Sequence, residues 1–509
     1  MDSESNQESD SRIELLLEER QQLTDELVRE PYDFILYLKR AVCYTNLAYP
    51  DLAAGDAYRA LMLTDEARDE SFEYHEQVLE ALQKYGIDKL PEVFDHGLLL
   101  DLAQDVAHGP TLLANLGAVR SYQILAMGLL LCGSLQSAYK FCQRGLEAAP
   151  TNSELRHIHG YIETVGKRRI RRDINSVHDL PDWGMVRREV YPWNNYEPDR
   201  FSHDSLGFLN ERLSAMAPKC AVRVATLPVL LENASNTDGY EVIPTCKQLG
   251  VFATEDIAAG ETVLEEYSLI TANNRLKDTY FAVNTASIRH KSCTIPPYAK
   301  REVDAIAKDT DAKDADEALH LLLLARVLAM ATHQGIHPLE VSQIKYIWGD
   351  FVPTKWNEID LSPNAGPPPD WTLPFSFSFN IETPLHILEK MDIDIYSTLA
   401  EHDLWVLNTL YSKTRGTASA RKNPRDGRPD VAAVHPFWCL ANHDCDPNVT
   451  WEWGGRMVLS ARETRVVGNR PGGIKSGEEI LNHYCDVTLP VRDRREWASG
   501  SLGGWCIIR

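Results

Sequence analysis

Three short segments of this 509-residue sequence combine residue types that can bind a ligand or support a reaction. Residues 249–254 read LGVFAT, and the glycine in such a predicted strand lets the backbone approach a ligand closely. Residues 442–448 read NHDCDPN, which places amide, imidazole and thiol groups together. Residues 477–484 read GEEILNHY, a turn and a predicted strand that ends in a tyrosine. Each segment alone also fits an ordinary structural role, but their order and spacing favour one shared site.

The composition around these segments excludes several classes of function. The chain carries 52 Lys and Arg against 74 Asp and Glu, and its net charge of −22 repels phosphate backbones. Direct nucleic-acid binding is therefore not expected, whereas a basic protein partner would be attracted. The N-terminus lacks a signal peptide pattern, and the longest apolar runs are shorter than the ~18 residues of a bilayer span. We expect no membrane association and a location in the nucleus, the cytoplasm or both, where ten scattered cysteines would stay reduced.

The first third of the chain predicts an all-α domain. Residues 1–12 form an acidic lead that we expect to be disordered, and residues 13–168 show apolar residues every three or four positions. Two sets of residues repeat the same relative spacings: Tyr37, Ala41, Tyr44, Ala53 and Ala57, then Tyr122, Ala126, Leu129, Ala138 and Cys142. Both resemble the tetratricopeptide helix-turn-helix unit, although an ordinary helical bundle also fits. We expect this domain to provide a surface for protein partners, because its sequence contains no cluster of titratable residues that would suggest catalysis.

The remainder of the chain predicts a β-rich domain with a helical insertion. Residues 169–220 have no sustained period and are interpreted as a linker, while residues 221–489 alternate like strands except for helical periods over about 275–410. One hairpin is specific: Val449, Trp451 and Trp453 alternate onto one face, two glycines supply the turn, and residues 456–461 return. The predicted fold class is α+β and multidomain, with residues 490–509 as a short terminal segment.

Taken together, the three segments resemble the SET domain of protein lysine methyltransferases. That family carries a Gly-x-Gly strand turn, an Asn-His-x-Cys-x-Pro-Asn segment and a Gly-Glu-Glu-x-x-x-x-Tyr segment. The helical insertion is most similar to the split SET domains of SET- and MYND-type enzymes, here without a MYND module. The N-terminal helices resemble those of fungal proteins that combine tetratricopeptide repeats with a SET domain. The resemblance implies methyl transfer from S-adenosylmethionine to a lysine of a histone or another protein, with the helical repeats binding substrate or partners.

The resemblance also implies a role for individual residues. Tyr484 would be the catalytic tyrosine, which orients the methyl group and the amine instead of acting as a strong base. Asn442 and His443 would bind the amine and the adenine edge of the cofactor, and Leu249 and Gly250 would line it with backbone groups.

Two further residues are weaker matches to the family pattern. Asn408 stands near a position where related enzymes carry another cofactor asparagine. Trp505 stands where an aromatic residue near the C-terminus can stack on adenine.

Two departures from the pattern support an alternative. Gln248 replaces the first glycine of Gly-x-Gly. Cys445 and Cys506 are candidate zinc ligands, but Ile508 stands where the next cysteine is expected, and two cysteines do not complete a tetrahedral site. Zinc is therefore not predicted unless Cys439, His483 or Cys485 supplies a ligand. The alternative is a catalytically inactive SET protein that acts as an interaction scaffold through its helical repeats.

Overall fold

The structure, a computed structural model, divides into two compact units. Unit 1 comprises residues 1–193 and 352–408, and unit 2 comprises residues 194–351 and 409–509. The chain therefore passes between the units three times, and the predicted insertion over about 275–410 contributes residues to both. The residues described are all except 1, 86–89, 95–108, 171–173, 175, 188, 229–244, 274–314, 350, 352–372, 423–428, 454–455, 468, 485 and 495–509.

The regular elements confirm an α+β fold with helices concentrated in the N-terminal part. The helices are α1 (Asp2–Arg29), α2 (Phe34–Asn46), α3 (Pro50–Glu66), α4 (His75–Leu82), α5 (Pro110–Cys132), α6 (Leu135–Ala148), α7 (Ser153–Ile170), α8 (His203–Ser214), α9 (Ala315–Gln334), α10 (Ser342–Lys345), α11 (Thr383–Lys390), α12 (Leu399–His402) and α13 (Leu404–Thr417). The strands are β1 (Gly184–Val186), β2 (Cys220–Pro228), β3 (Thr245–Ala253), β4 (Thr262–Tyr267), β5 (Ile270–Asn273), β6 (Leu373–Phe375), β7 (Ala418–Lys422), β8 (Pro429–Val434), β9 (Val449–Trp453) and β10 (Arg456–Ala461). Short 3-10 helices span Val177–Asp179, Pro338–Glu340 and Trp438–Leu440, and a π-helical turn spans Ser378–Glu382.

The helix boundaries in unit 1 follow from local chemistry. Asp33 caps α2, because its carboxylate accepts a hydrogen bond of 2.9 Å from the N–H of Ile35. Pro50 is the first residue of α3, where its missing N–H is not needed. Gly133 ends α5 with a φ of 87°, a left-handed conformation that glycine adopts without strain.

The acidic lead differs from its prediction. Residues 2–12 belong to α1 and are helical, although we expected residues 1–12 to be disordered. The reason is that no proline or glycine interrupts the sequence up to Arg29, so the packed part of the helix extends toward the N-terminus.

The two repeated sets of residues lie on two helical hairpins of unit 1. The first set occupies α2 and α3, and the second occupies α5 and α6. Ala41, Ala53, Ala57, Ala126 and Ala138 are each fully buried, as residues at a close helix approach must be. The helix-turn-helix pairs are therefore confirmed as helices, while their assignment to the tetratricopeptide family stays a prediction. Among the helices within the described ranges, none is both long and apolar enough to cross a bilayer.

A buried ion cluster joins the second stretch of unit 1 to its N-terminal helices. The Asp403 carboxylate lies 3.1 Å from Arg40 Nη1, 3.7 Å from Arg59 Nη1 and 3.9 Å from Arg20 Nη2. Arg40 also pairs with Asp56 at 2.7 Å. Burial acts to raise the pKa of Asp403, but the three guanidinium groups outweigh it and lower that pKa below its ordinary value. The side chains of this cluster are almost entirely withdrawn from solvent.

Apolar contacts reinforce the same connection within unit 1. The Phe377 ring packs edge-on against Tyr58 at 4.9 Å and against Phe141 at 4.8 Å. Strand β6 pairs antiparallel with β1, with Met185 opposite Pro374. The segment that precedes α13 is thus part of the core of unit 1.

The described residues of unit 2 form three small antiparallel sheets, which are β2-β3, β4-β10-β9 and β5-β8-β7. The predicted hairpin is confirmed, since β9 pairs with β10 so that Trp451 lies opposite Leu459. Helix α9 confirms the helical period predicted from Ala315 to His333. The predicted linker contains regular structure, namely β1 and α8. Its later part is anchored in unit 2 by Glu197, which bonds the fully buried Lys413 Nζ at 2.8 Å.

Candidate active site

The three segments that the sequence singles out meet in unit 2. The N–H of Ile480 donates to the carbonyl of Val251 at 2.7 Å, so the third segment runs antiparallel beside β3. The N–H of Asn482 then donates to the carbonyl of Asn442, and the N–H of Asp444 donates to the carbonyl of Asn482, both at 2.8 Å. The third segment therefore bridges the first two through backbone hydrogen bonds.

Asn442 is the best-anchored polar side chain of this site. Its Nδ2 donates to the carbonyl of Leu249 at 2.9 Å and to Glu479 Oε1 at 2.6 Å, and the residue is 8% exposed. These two acceptors fix the orientation of the amide. No described residue donates to Asn442 Oδ1, so this oxygen remains available to accept a hydrogen bond.

Gly250 permits the close approach of Asn442 and Glu479. A β-carbon at Gly250 would overlap the Glu479 carboxylate and would lie 3.1 Å from Asn442 Nδ2. Burial raises the pKa of Glu479, although the hydrogen bond from Asn442 opposes this shift. Gly250 and Leu249 thus lie next to Asn442, as the prediction of a shared site requires.

Tyr484 lies beside the second segment. Its hydroxyl donates to the carbonyl of Ala441 at 3.1 Å, and its ring centroid is 5.4 Å from that of His443. The N–H of Tyr484 donates to His443 Nδ1 at 3.1 Å. An Nδ1 that accepts a hydrogen bond belongs to a neutral imidazole whose proton is on Nε2. The His443 side chain therefore fixes the backbone of Tyr484, and its expected contact with adenine stays a prediction.

The candidate zinc ligands are only partly described. Cys445 Sγ lies 3.7 Å from His443 Nε2. Over the described part of the chain, no group of three or more His, Cys, Asp or Glu side chains is arranged to hold a metal ion. Cys506 and Trp505 lie outside the described residues, as does Cys485, so their predicted roles stay predictions.

Asn408 has a structural role in unit 1. The residue is 4% exposed, and its Nδ2 donates to Asp51 at 2.9 Å and lies 3.5 Å from the Tyr191 hydroxyl. Burial raises the pKa of Asp51 to about 6. Asn408 belongs to unit 1, whereas the other described candidates belong to unit 2. These contacts lie within unit 1, and the expected role of Asn408 in cofactor binding stays a prediction.

Two tryptophans pack around His483, the residue that precedes Tyr484. Trp438 and Trp451 lie edge to face with centroids 5.8 Å apart, and Trp451 stacks on His483, also at 5.8 Å. Their indole N–H groups are buried without an acceptor among the described residues. His483 immediately precedes Tyr484, and Ala441 N donates to the carbonyl of Trp438 at 3.2 Å. The aromatic pair is thus connected to Tyr484 through the backbone at Ala441 and through the neighbouring residue His483.

Several residues of the site were not assigned a role from the sequence. Glu479 and Asn448 stand at fixed positions of the family pattern, which is the signal that points to them. Asn448 Oδ1 accepts from Leu481 N, and its Nδ2 donates to the carbonyl of Glu479, both at 2.7 Å. Trp438 and Glu266 have no such signal, because only the folded chain brings them to the site.

The family comparison agrees with this geometry. Residues 248–485 match the family model of the SET domain. This part of the chain is therefore similar to the SET domains of protein lysine methyltransferases, as the three segments predicted. A comparison with curated proteins found no match. The likeness to fungal proteins with tetratricopeptide repeats stays a prediction.

The chemistry of the site fits S-adenosylmethionine, the cofactor that SET methyltransferases generally use. The fit rests on the acceptors around Gly250, where Asn442 Oδ1 and the neighbouring Glu479 carboxylate can receive the N–H groups of a cationic amine. The Tyr484 hydroxyl donates its proton to the Ala441 carbonyl, and a hydroxyl oxygen bonded in this way can still accept a hydrogen bond.

Proposed function

We propose that this chain is an S-adenosylmethionine-dependent protein lysine N-methyltransferase. The observation that carries the proposal is the convergence of Asn442, Gly250 and Tyr484 from three distant segments onto one place in unit 2. A buried amide held by two acceptors is typical of a site that orients a ligand.

Each of these residues has a task that follows from its contacts. Asn442 and Glu479 bind the cationic amine of the cofactor, which supplies the methyl group when it is bound. Tyr484 accepts an N–H of the incoming lysine amine and directs the nitrogen lone pair toward the methyl group. The Ala441 carbonyl keeps the Tyr484 hydroxyl in place, and His443 keeps its backbone in place. Alignment of this kind accounts for much of the rate of an in-line displacement.

The lysine amine must be neutral when it attacks. A lysine in water has a pKa of ~10.4 and is protonated at neutral pH, so the site has to favour loss of the proton. The partly buried aromatic surface of Trp438 and Trp451 provides low polarity, which disfavours the ammonium form. The same surface can pack against the methylene groups of the lysine side chain.

The cofactor tests the proposal directly. Calorimetry on the purified chain should detect binding of S-adenosylmethionine, and replacement of Asn442 with alanine should remove it. A wild-type chain that folds but does not bind the cofactor would contradict the enzyme and would favour the interaction scaffold.

Replacement of Tyr484 with phenylalanine should lower kcat by about 100-fold, because the hydroxyl that orients the amine is lost. Cofactor affinity should change little, since Asn442 and Glu479 are untouched. The measurement is the rate of methyl incorporation into a lysine-containing protein mixture, together with calorimetry. Tyr267→Phe is the matched control, because that tyrosine is 59% exposed on β4 and should be silent. Equal rates for Tyr484→Phe and wild type would remove Tyr484 from the reaction.

We also propose that the substrate is a basic protein segment, from a histone or another protein of the nucleus or cytoplasm. The net charge of −22 favours such a partner, and the helices of unit 1 offer the additional surface for it. Because this attraction is electrostatic, the KM for a basic protein substrate should rise with ionic strength more than the Kd for the cofactor.

A further inference from the structure

Glu266 is a buried carboxyl group for which the proposed reaction has no direct use. It lies on β4 and is 3% exposed. Its two oxygens accept hydrogen bonds from the backbone N–H groups of Phe437 at 3.1 Å and Trp438 at 2.9 Å. Both N–H groups lie at the start of the 3-10 helix Trp438–Leu440, which has no intrahelical acceptors for them.

This 3-10 helix leads directly into the candidate active site. The N–H of Ala441 donates to the carbonyl of Trp438 at 3.2 Å, which closes the turn. The carbonyl of Ala441 accepts from the Tyr484 hydroxyl at 3.1 Å, and the next residue is Asn442. A shift of the backbone at Trp438 would therefore displace the acceptor of Tyr484 and the amide that faces Leu249 and Glu479.

Within the described part of the chain, no charged side chain faces the carboxyl group of Glu266. Its neighbour across the sheet is Met457, which is fully buried. Glu265 and Arg456 pair with each other at the partly exposed edge. His435 bonds Ser268 at 2.8 Å, and burial lowers its pKa to about 4, so it is neutral.

Cys439, which follows Trp438, donates instead to the carbonyl of Thr417. Burial raises the pKa of Glu266 to about 7, and only the N–H groups of Phe437 and Trp438 oppose that shift. These two N–H groups are thus the polar partners of the carboxyl group.

We infer that Glu266 is a positioning residue for the cofactor and tyrosine site: the two hydrogen bonds that it accepts hold the turn that carries Ala441 and Asn442. The part that concerns the cofactor rests on the proposed function. Glu266 itself contacts neither the cofactor nor the lysine in this assignment, and it acts through the backbone.

The inference predicts a specific dependence on pH. The pKa of Glu266 is raised in the closed structure and returns toward its ordinary value whenever the turn opens and the carboxyl group meets water. The closed state therefore binds more protons than the open state. The extra stability of the closed state is fully present below the ordinary pKa of a glutamate, and it declines as the pH rises through about 7. The turn should open more easily at pH 8 than at pH 6.

The test is hydrogen exchange at the amides of Phe437 and Trp438 in the full chain without cofactor. In Glu266→Gln the side-chain NH₂ group replaces one acceptor oxygen, so at least one of these amides should lose protection by ~10-fold. Wild-type protection factors should fall between pH 6 and pH 8, whereas those of Glu266→Gln should not depend on pH. Glu265→Gln is the matched control, because the neighbouring carboxylate lies on the exposed side of the strand and should behave as wild type.

Calorimetry provides the second readout. The Kd for S-adenosylmethionine should rise by ~10-fold in Glu266→Gln and stay unchanged in Glu265→Gln at the same pH. Protection factors of Phe437 and Trp438 equal to wild type in Glu266→Gln would overturn the inference. If Glu266→Gln does not fold, wild-type protection that is equal at pH 6 and pH 8 would overturn it. A wild-type chain that binds no cofactor would overturn the proposed function, while the exchange data would still decide the role of Glu266.

Discussion

Replacement of Asp403 with alanine is expected to lower the free energy of unfolding of unit 1 by about 3–5 kcal/mol. The Asp403 carboxylate is the shared partner of Arg20, Arg40 and Arg59, and the side chains concerned are at most 4% exposed. Without it, three buried guanidinium groups would retain only the Asp56 carboxylate. The cost arises mainly from charges left without compensation in a medium of low polarity, and less from the loss of the attraction itself.

Chemical denaturation of wild type and Asp403→Ala provides the measurement. Asp65→Ala is the matched control, because it also removes an aspartate paired with an arginine, here Arg68, but on the exposed surface. That variant should change stability little or not at all. Since the pKa of Asp403 is lowered, its stabilising effect is present at neutral pH and is lost as the pH falls toward acid. Similar denaturation midpoints for the two variants would show that the ion cluster does not stabilise unit 1.

Replacement of Gly250 with alanine is expected to reduce affinity for S-adenosylmethionine by about 10-fold to 100-fold. The added methyl group would occupy the position of the Glu479 carboxylate. Because a glutamate side chain can rotate away, the fold should survive with a loss of about 1–2 kcal/mol, but the hydrogen bond from Asn442 to Glu479 would break. The Asn442 amide could then rotate, and its Oδ1 would no longer be held in the orientation in which it can accept a hydrogen bond from a ligand.

Calorimetry for affinity and thermal unfolding for stability distinguish these two effects. Gly207→Ala is the control within the same unit, since a β-carbon there meets no atom within 4 Å. Gly207 lies inside α8, so that variant should be slightly more stable and should bind the cofactor normally. Unchanged cofactor affinity in Gly250→Ala would mean that the contact between Asn442 and Glu479 is not part of the binding site.

Much of the site could be predicted from the sequence because its key residues occur in short, specific patterns. Gly250, Asn442 and Tyr484 each belong to a segment whose order along the chain favoured a SET domain, and the match over residues 248–485 agrees. The β9–β10 hairpin was predictable because alternation and a glycine pair are local signals.

Other features depend on contacts between distant residues, which leave no local pattern. Glu266 reads as one more charged residue at the end of a strand, yet it is 3% exposed and bonds backbone groups far along the chain. Asn408 stands near a cofactor position of the family pattern by its neighbours in sequence, and the hydrogen bond of its amide to Asp51, a residue of α3, has no local signal. The acidic lead was interpreted from its composition, but helix propagation from the packed part of α1 decides its conformation.

The discontinuous course of unit 1 constrains how a newly made chain can fold. A ribosome releases Arg20, Arg40 and Arg59 early, but Asp403 emerges only after the first stretch of unit 2 has been synthesised. During that interval Asp403 is absent, and Asp56 is the carboxylate of the cluster that is already present. The arginine side chains of the nascent helices must therefore stay hydrated. Translation that stops before residue 403 would release a chain with these arginines still uncovered. Such a chain would present a basic, incompletely packed surface by which chaperones or proteases could recognise an unfinished product.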